Sequence, residues 1–106
     1  TFLPYLIFAG DGRIKGKVTD LTTGEALVGA NVLVVGTSLG AATDVNGEFI
    51  IMNLNAGAYS VKASYLGYQS ITVTNVRVNT DLTTEVDFQL PAEEISVGTV
   101  TIVAQS

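Results

Sequence analysis

Few side chains in this sequence are of the types that carry out catalysis or bind metals. The segment DVNG, residues 44–47, offers carboxylate and amide oxygens from Asp44 and Asn46, the ligand types that Ca²⁺ prefers. A calcium loop of the EF type also needs further carboxylates and a distal glutamate, which this segment lacks. We therefore interpret residues 43–47 as a turn, in which Asp44 caps the backbone and Gly47 adopts a positive φ.

The residues needed for zinc or nucleophilic catalysis are missing. The 106 residues include neither histidine nor cysteine, so a zinc site would lack its usual ligands. Serine and threonine hydroxyls are plentiful, but a nucleophile needs a base within hydrogen-bond reach. No glycine-rich segment precedes a helix pattern, which excludes a phosphate-binding loop. The sequence predicts a protein that is not an enzyme and that uses no metal and no cofactor.

The charge of the chain limits the classes of molecule that it could bind. Ten acidic and five basic residues give a net charge of -5, which repels phosphate backbones and argues against nucleic-acid binding. Charged residues make up 14% of the chain, against about 25% in an average globular protein. A surface with so little charge is poorly protected from association with other polypeptides.

The basic residues near the start of the chain alternate with apolar ones. Arg13, Lys15 and Lys17 would lie on one face of a strand. We expect them to pair with Glu85 and Asp87 on a neighbouring strand, or to protect a sheet edge from unwanted pairing.

The tyrosines are expected to be core or rim residues rather than a sugar-binding platform. The four are Tyr5, Tyr59, Tyr65 and Tyr68. Of these, only Tyr68, which follows Gly67 at a strand end, is expected to be available for another role.

The elements that must position these side chains are β-strands. Alternating or β-branched runs predict strands over residues 13–19, 30–35, 59–65, 70–80, 83–90 and 95–104. The turn at 43–47 suggests a hairpin that leads into a strand with Phe49 and Ile51 inward. Within 83–90 we expect one strand with Val86, Phe88 and Leu90 inward. Strands of this length, separated by turns about every ten residues, predict an all-β sandwich with Greek-key connections whose core includes Phe49 and Tyr65.

The succession GKVTDLTTGEALVGANVLVVGT, GAATDVNGEF and AGAYSVKASYLGYQS resembles the carboxypeptidase regulatory-like domain over residues 12–90. The resemblance implies an immunoglobulin-like, transthyretin-like sandwich of seven to nine strands that serves as a folding, docking or spacer unit in bacterial envelope proteins. Such domains stand at the N-terminus of TonB-dependent outer-membrane receptors, before the plug, and the segment LPAEEISVGTVTIVAQS resembles the link to a plug.

The chain opens with the uncharged segment TFLPYLIFAG, residues 1–10. It lacks the basic start of a signal peptide, and Phe8 is too large for the -3 position if cleavage followed Gly10. It is also too short to span a bilayer and contains Pro4. We interpret it as an assembly strand or a signal remnant, followed by the sandwich domain at 11–91 and a strand or linker at 92–106.

These features favour a secreted structural subunit of an extracellular fibre that polymerises head to tail by strand addition, located outside the cell, at its surface or in the periplasm. The alternative is an accessory domain of a TonB-dependent receptor that binds other envelope domains. A carbohydrate-binding sandwich is a third hypothesis. The candidate assembly residues lie in the two terminal segments: Phe2, Leu3, Tyr5, Leu6, Ile7, Phe8, Val97, Val100 and Ile102.

Overall fold

The computed structural model describes residues 12–93, which form eight β-strands in two sheets. The strands are β1 (Gly12–Asp20), β2 (Asn31–Val34), β3 (Gly40–Ala42), β4 (Glu48–Leu54), β5 (Gly57–Ser64), β6 (Ile71–Val78), β7 (Thr83–Glu85) and β8 (Phe88–Leu90). The predicted all-β sandwich of seven to nine strands is thereby confirmed. Within residues 12–93 no helix is long and apolar enough to cross a membrane.

The two sheets differ in how their strands pair. In the first sheet β1 is central: it runs antiparallel to β4 on one side and parallel to β7 and then β8 on the other. In the second sheet the order is β3, β2, β5, β6, and every neighbouring pair is antiparallel. The C-terminal ends of β1, β5 and β8 therefore lie at the same end of the sandwich as the start of β2.

The core lies between the sheets and is filled by the inward members of each alternation. Phe49 of β4 and Phe88 of β8 are buried, with ring centroids 6.1 Å apart. Val61 and Ala63 of β5 are fully buried, whereas Tyr65 packs against the core from its rim. The prediction for Phe49 is confirmed, and Tyr65 contributes to the core only in part.

Residues 83–90 form two short strands rather than the single strand that the alternation predicts. The chain leaves the ladder at Val86, whose carbonyl oxygen lies over Gly16 of β1. The Asp87 carboxylate then accepts a 3.0 Å hydrogen bond from the N–H of Lys17. The inward kink fits only because Gly16 has no side chain, and β8 resumes the pairing at Phe88.

The predicted hairpin around residues 43–47 is also wrong. β3 pairs with β2 in the second sheet, whereas β4 pairs with β1 in the first. The turn therefore carries the chain from one sheet to the other. Alternation along a strand identifies its buried face, but it does not identify the strand that lies beside it.

Candidate interaction surface

The residues predicted to form the assembly interface lie outside the part of the chain that the structure describes. They belong to residues 1–10 and 95–104, on either side of the described range 12–93. Strand addition by these segments stays a prediction. The features that follow belong to the described sandwich.

The turn at residues 43–47 is held by its own side chains, as predicted. Oδ1 of Asp44 accepts hydrogen bonds from the N–H groups of Asn46 and Glu48, both at 2.9 Å, and Gly47 has a φ of 77°. The Asp44 carboxylate is thus occupied by the backbone. Within residues 12–93, no three acidic, cysteine or histidine side chains are grouped so that they could hold a metal ion.

Thr43 is one of the two buried polar residues of the described sandwich, and it joins two loops. Its hydroxyl accepts a 2.8 Å hydrogen bond from the N–H of Ala30 and donates one of 2.5 Å to the carbonyl oxygen of Leu27. The β3–β4 connection is therefore fixed to the segment that enters β2. A buried hydroxyl with both partners satisfied gives this junction a defined geometry.

Asp20, at the end of β1, is the second buried polar residue. Its Oδ1 accepts hydrogen bonds from the N–H groups of Thr22 and Thr23 at 2.7 and 2.9 Å, and its Oδ2 accepts one of 2.6 Å from the hydroxyl of Tyr68. The Tyr68 hydrogen bond is the largest cause that lowers the pKa of Asp20, followed by the two backbone donors. The same hydrogen bond raises the pKa of Tyr68.

The expectation that Tyr68 is available for another role is wrong. Its hydroxyl is committed to Asp20, and its ring packs against Tyr65 with centroids 5.6 Å apart. The residue fastens the β5–β6 loop to the end of β1. The sequence analysis also missed Asp20 and Thr43. The order Asp-Leu-Thr-Thr-Gly is typical of a turn capped by an aspartate, and it could have indicated the role of Asp20.

The basic residues of β1 lie on the outer face of the first sheet, as predicted. Lys15 stands directly opposite Glu85 of β7, and Lys17 stands opposite Glu48 of β4. Opposite charges at facing positions stabilise a sheet. A groove of about 560 Å³ runs along this face, and Ile50 contributes an exposed apolar side chain to it. Because two lysines and four carboxylates line the groove, it presents charges of both signs to a ligand.

Comparison with known proteins relates the chain to modules of much longer proteins. The family model described as the CarboxypepD_reg-like domain matches residues 14–102. This domain is a regulatory-like module and not a catalytic domain. Human carboxypeptidase D is 38% identical over 84 residues, which is 79% of this chain. The TonB-dependent receptor SusC of Bacteroides thetaiotaomicron is 43% identical over 68 residues, which is 64% of this chain. The chain spans about 6% of the length of each of these relatives.

Solved structures share the fold. A chain of a cohesin–X-dockerin complex from Acetivibrio cellulolyticus superposes with a TM-score of 0.67 at 27% identity, over 81% of this chain and 61% of that chain. A proposed carbohydrate-binding protein from Bacteroides uniformis superposes with a TM-score of 0.58 at 22% identity, over 76% of this chain and 41% of that chain. The second similarity shows the fold alone.

Proposed function

The chain belongs to the carboxypeptidase regulatory-like family, and we propose that it is a non-catalytic interaction module of a longer bacterial envelope protein, the accessory domain of a TonB-dependent outer-membrane receptor. The observation that carries this proposal is the similarity to the receptor SusC. On this proposal the module lies at the cell surface or in the periplasm and binds other envelope domains.

The relatives also indicate what kind of work the module does. The same module occurs in a protein named as a carboxypeptidase and in one named as a TonB-dependent receptor. The presence of one domain in proteins with such different names is best explained by a role that both need, which is to position or bind another polypeptide. The geometry supports this proposal, because the buried polar groups Asp20 and Thr43 order loops and build no reaction centre.

The fibre subunit remains a second proposal, supported by sheet edges. Within residues 12–93, β4 has a strand partner on one side only, and the same holds for β3 and β6. An incoming strand could pair with such an edge through backbone hydrogen bonds. Residues 1–10 and 95–104 would be the donors.

One fractionation experiment tests the first proposal and separates it from the second. An antibody raised against the folded sandwich is used to probe outer-membrane, periplasmic and medium fractions of the cells that make the protein. The receptor proposal expects an outer-membrane band much larger than the 106-residue chain. A band of the chain's own size in the medium or on the cell surface, in particles that sediment as polymers, would contradict it and support the fibre. Deletion of residues 1–10 should then abolish those polymers.

A further inference from the structure

Four of the nine large apolar side chains that are exposed in the described residues lie at one end of the sandwich. We call this end, formed by loops 21–30, 43–47 and 65–70 and the exit segment 91–93, the loop end. Each of its three loops carries an exposed aliphatic residue, and the most exposed is Leu66, at 95% of its surface. The others are Leu21, Val28 and Val45. Exposed apolar patches rimmed by polar groups are typical of protein interaction sites.

The loop end is ordered before any partner arrives. Thr43 fixes loop 43–47 to loop 21–30, and the Tyr68–Asp20 hydrogen bond fixes loop 65–70 to the end of β1. The exit segment is fixed as well, because Glu93 donates a 2.8 Å backbone hydrogen bond to the carbonyl oxygen of Gly67. A surface that is already ordered loses little conformational entropy on binding.

The charges at the loop end have one sign. Glu25, Asp44 and Glu93 are exposed acidic residues in the same loops and exit segment. All five lysines and arginines of the chain lie on strands instead: Arg13, Lys15, Lys17, Lys62 and Arg77. A complementary partner must therefore supply positive charge around an apolar centre.

We propose that the loop end binds a protein surface that presents aliphatic side chains flanked by lysine or arginine; this inference rests on the proposed interaction role and specifies its site and partner. A second copy docked end to end would bring like charges together, which disfavours it. A sugar ring would need an exposed aromatic face. At this end Tyr65 and Tyr68 pack on each other and are only partly exposed.

The path of the chain agrees with this location. Residues 91–93 lie beside residues 67–69, because Tyr68 forms a bridge with Ala92 and the N–H of Glu93 donates to the carbonyl oxygen of Gly67. Glu93, the last residue that the structure describes, therefore lies next to the loop that carries Leu66. A domain connected there would be held close to the loop end, which raises its effective concentration at this surface.

Photo-cross-linking in the cells that make the protein tests the proposal. The photoreactive residue p-benzoylphenylalanine replaces Leu66 or Val45 in the natural full-length protein, and in a control it replaces Leu82, which is 56% exposed at the opposite end. We expect discrete adducts from positions 66 and 45 and none from 82. Mass spectrometry of the adduct should identify a protein segment with aliphatic residues next to lysine or arginine.

A charge reversal makes the test specific for the proposed partner. The double change Glu25→Lys and Glu93→Lys should lower the adduct yield from position 66 roughly tenfold, because it replaces two rim carboxylates with charges that repel a basic partner. The matched change Glu85→Lys, on the outer sheet face, should leave it unchanged. An unchanged yield after the double reversal would overturn the proposal. So would an adduct with a second copy, with residues 95–106, or with a glycan. Adducts from position 82 alone would refute the loop end while leaving the interaction role intact.

Discussion

The Tyr68 hydroxyl donates a 2.6 Å hydrogen bond to Oδ2 of Asp20, a residue 48 positions earlier in the chain. The bond joins the β5–β6 loop in one sheet to the end of β1 in the other. Because the Asp20 carboxylate also accepts the N–H groups of Thr22 and Thr23, one side chain organises two loops. Two of the loops at the proposed binding surface are therefore ordered by this carboxylate and its phenol partner, whereas Thr43 fixes the third.

This pair should give stability a characteristic pH dependence. The folded-state pKa of Asp20 lies below its ordinary value of 3.8, so its contribution is present above that pH and is lost as the pH falls toward the lowered value. The pKa of Tyr68 lies above its ordinary value of 10.0, so its contribution is present below that pH and is lost as the pH rises through the raised value.

The change Tyr68→Phe tests this linkage. Urea unfolding followed by circular dichroism should show a stability difference between wild type and variant that is constant from about pH 5 to pH 9. The difference should shrink below about pH 4 and above about pH 10. The variant should still lose some stability at acid pH, because the backbone N–H groups that donate to Asp20 remain. A difference that is the same at every pH would contradict the account.

The change Thr43→Val should destabilise the fold although it preserves the shape of the side chain. It leaves the N–H of Ala30 and the carbonyl oxygen of Leu27 without their buried partner, at a cost of about 1–3 kcal/mol. Thr74→Val on the exposed face of β6 is the control, and its effect should stay within about 0.5 kcal/mol. Equal free energies of unfolding for the two variants would show that the hydroxyl of Thr43 plays no structural part.

The change Gly16→Ala should be destabilising by about 1–3 kcal/mol or more, because the new methyl group overlaps the carbonyl oxygen of Val86. A backbone atom cannot move aside as a flexible side chain can. Gly57→Ala in β5 is the matched control, since a methyl group there meets only the ring of Tyr59 at an ordinary contact distance of 3.8 Å. Thermal unfolding of both variants measures the contrast, and a Gly16→Ala protein as stable as Gly57→Ala would refute the kink over β1.

The change Phe49→Ala should cost about 3–5 kcal/mol, because it opens a cavity against Phe88. Its neighbour Ile50 points to the outer face of the same strand and is exposed, so Ile50→Ala should cost far less. Chemical denaturation of the two variants compares the faces of β4 directly. Similar losses in both would mean that the alternation along this strand does not separate core from surface.

Much of the sandwich can be predicted from the sequence because its strands each bury one face. In β1 this alternation is visible in the residue types themselves. In β4 the burial alternates although Ile50 and Met52 are apolar too, and Phe49 could be placed in the core because it follows Glu48 at the start of the strand. The break in residues 83–90 could not be predicted, since it depends on contact between Val86 and Gly16, 70 positions away in the chain. The crossing of the chain between sheets at residues 43–47 could not be predicted either, since it also depends on strand partners that are distant in the sequence.

The candidate surface was less predictable than the fold. The interface was predicted in the two terminal segments because both are apolar, and they lie outside the described residues. Leu66 and Val45 are isolated apolar residues within polar turns, so no pattern in the sequence marks them. The directions of the strands bring their loops to one end of the sandwich, and Tyr68 and Thr43 fix the loops there.

An in-frame deletion of residues 12–93 from the natural full-length protein tests the interaction role most directly. The account predicts that the remaining protein still reaches the outer membrane at its normal level, because the module folds around its own core. It also predicts that the complex detected by native electrophoresis loses a partner, and so becomes smaller by more than the mass of the deleted residues. A complex reduced only by the mass of the deleted residues would contradict the claim that this domain is an interaction module.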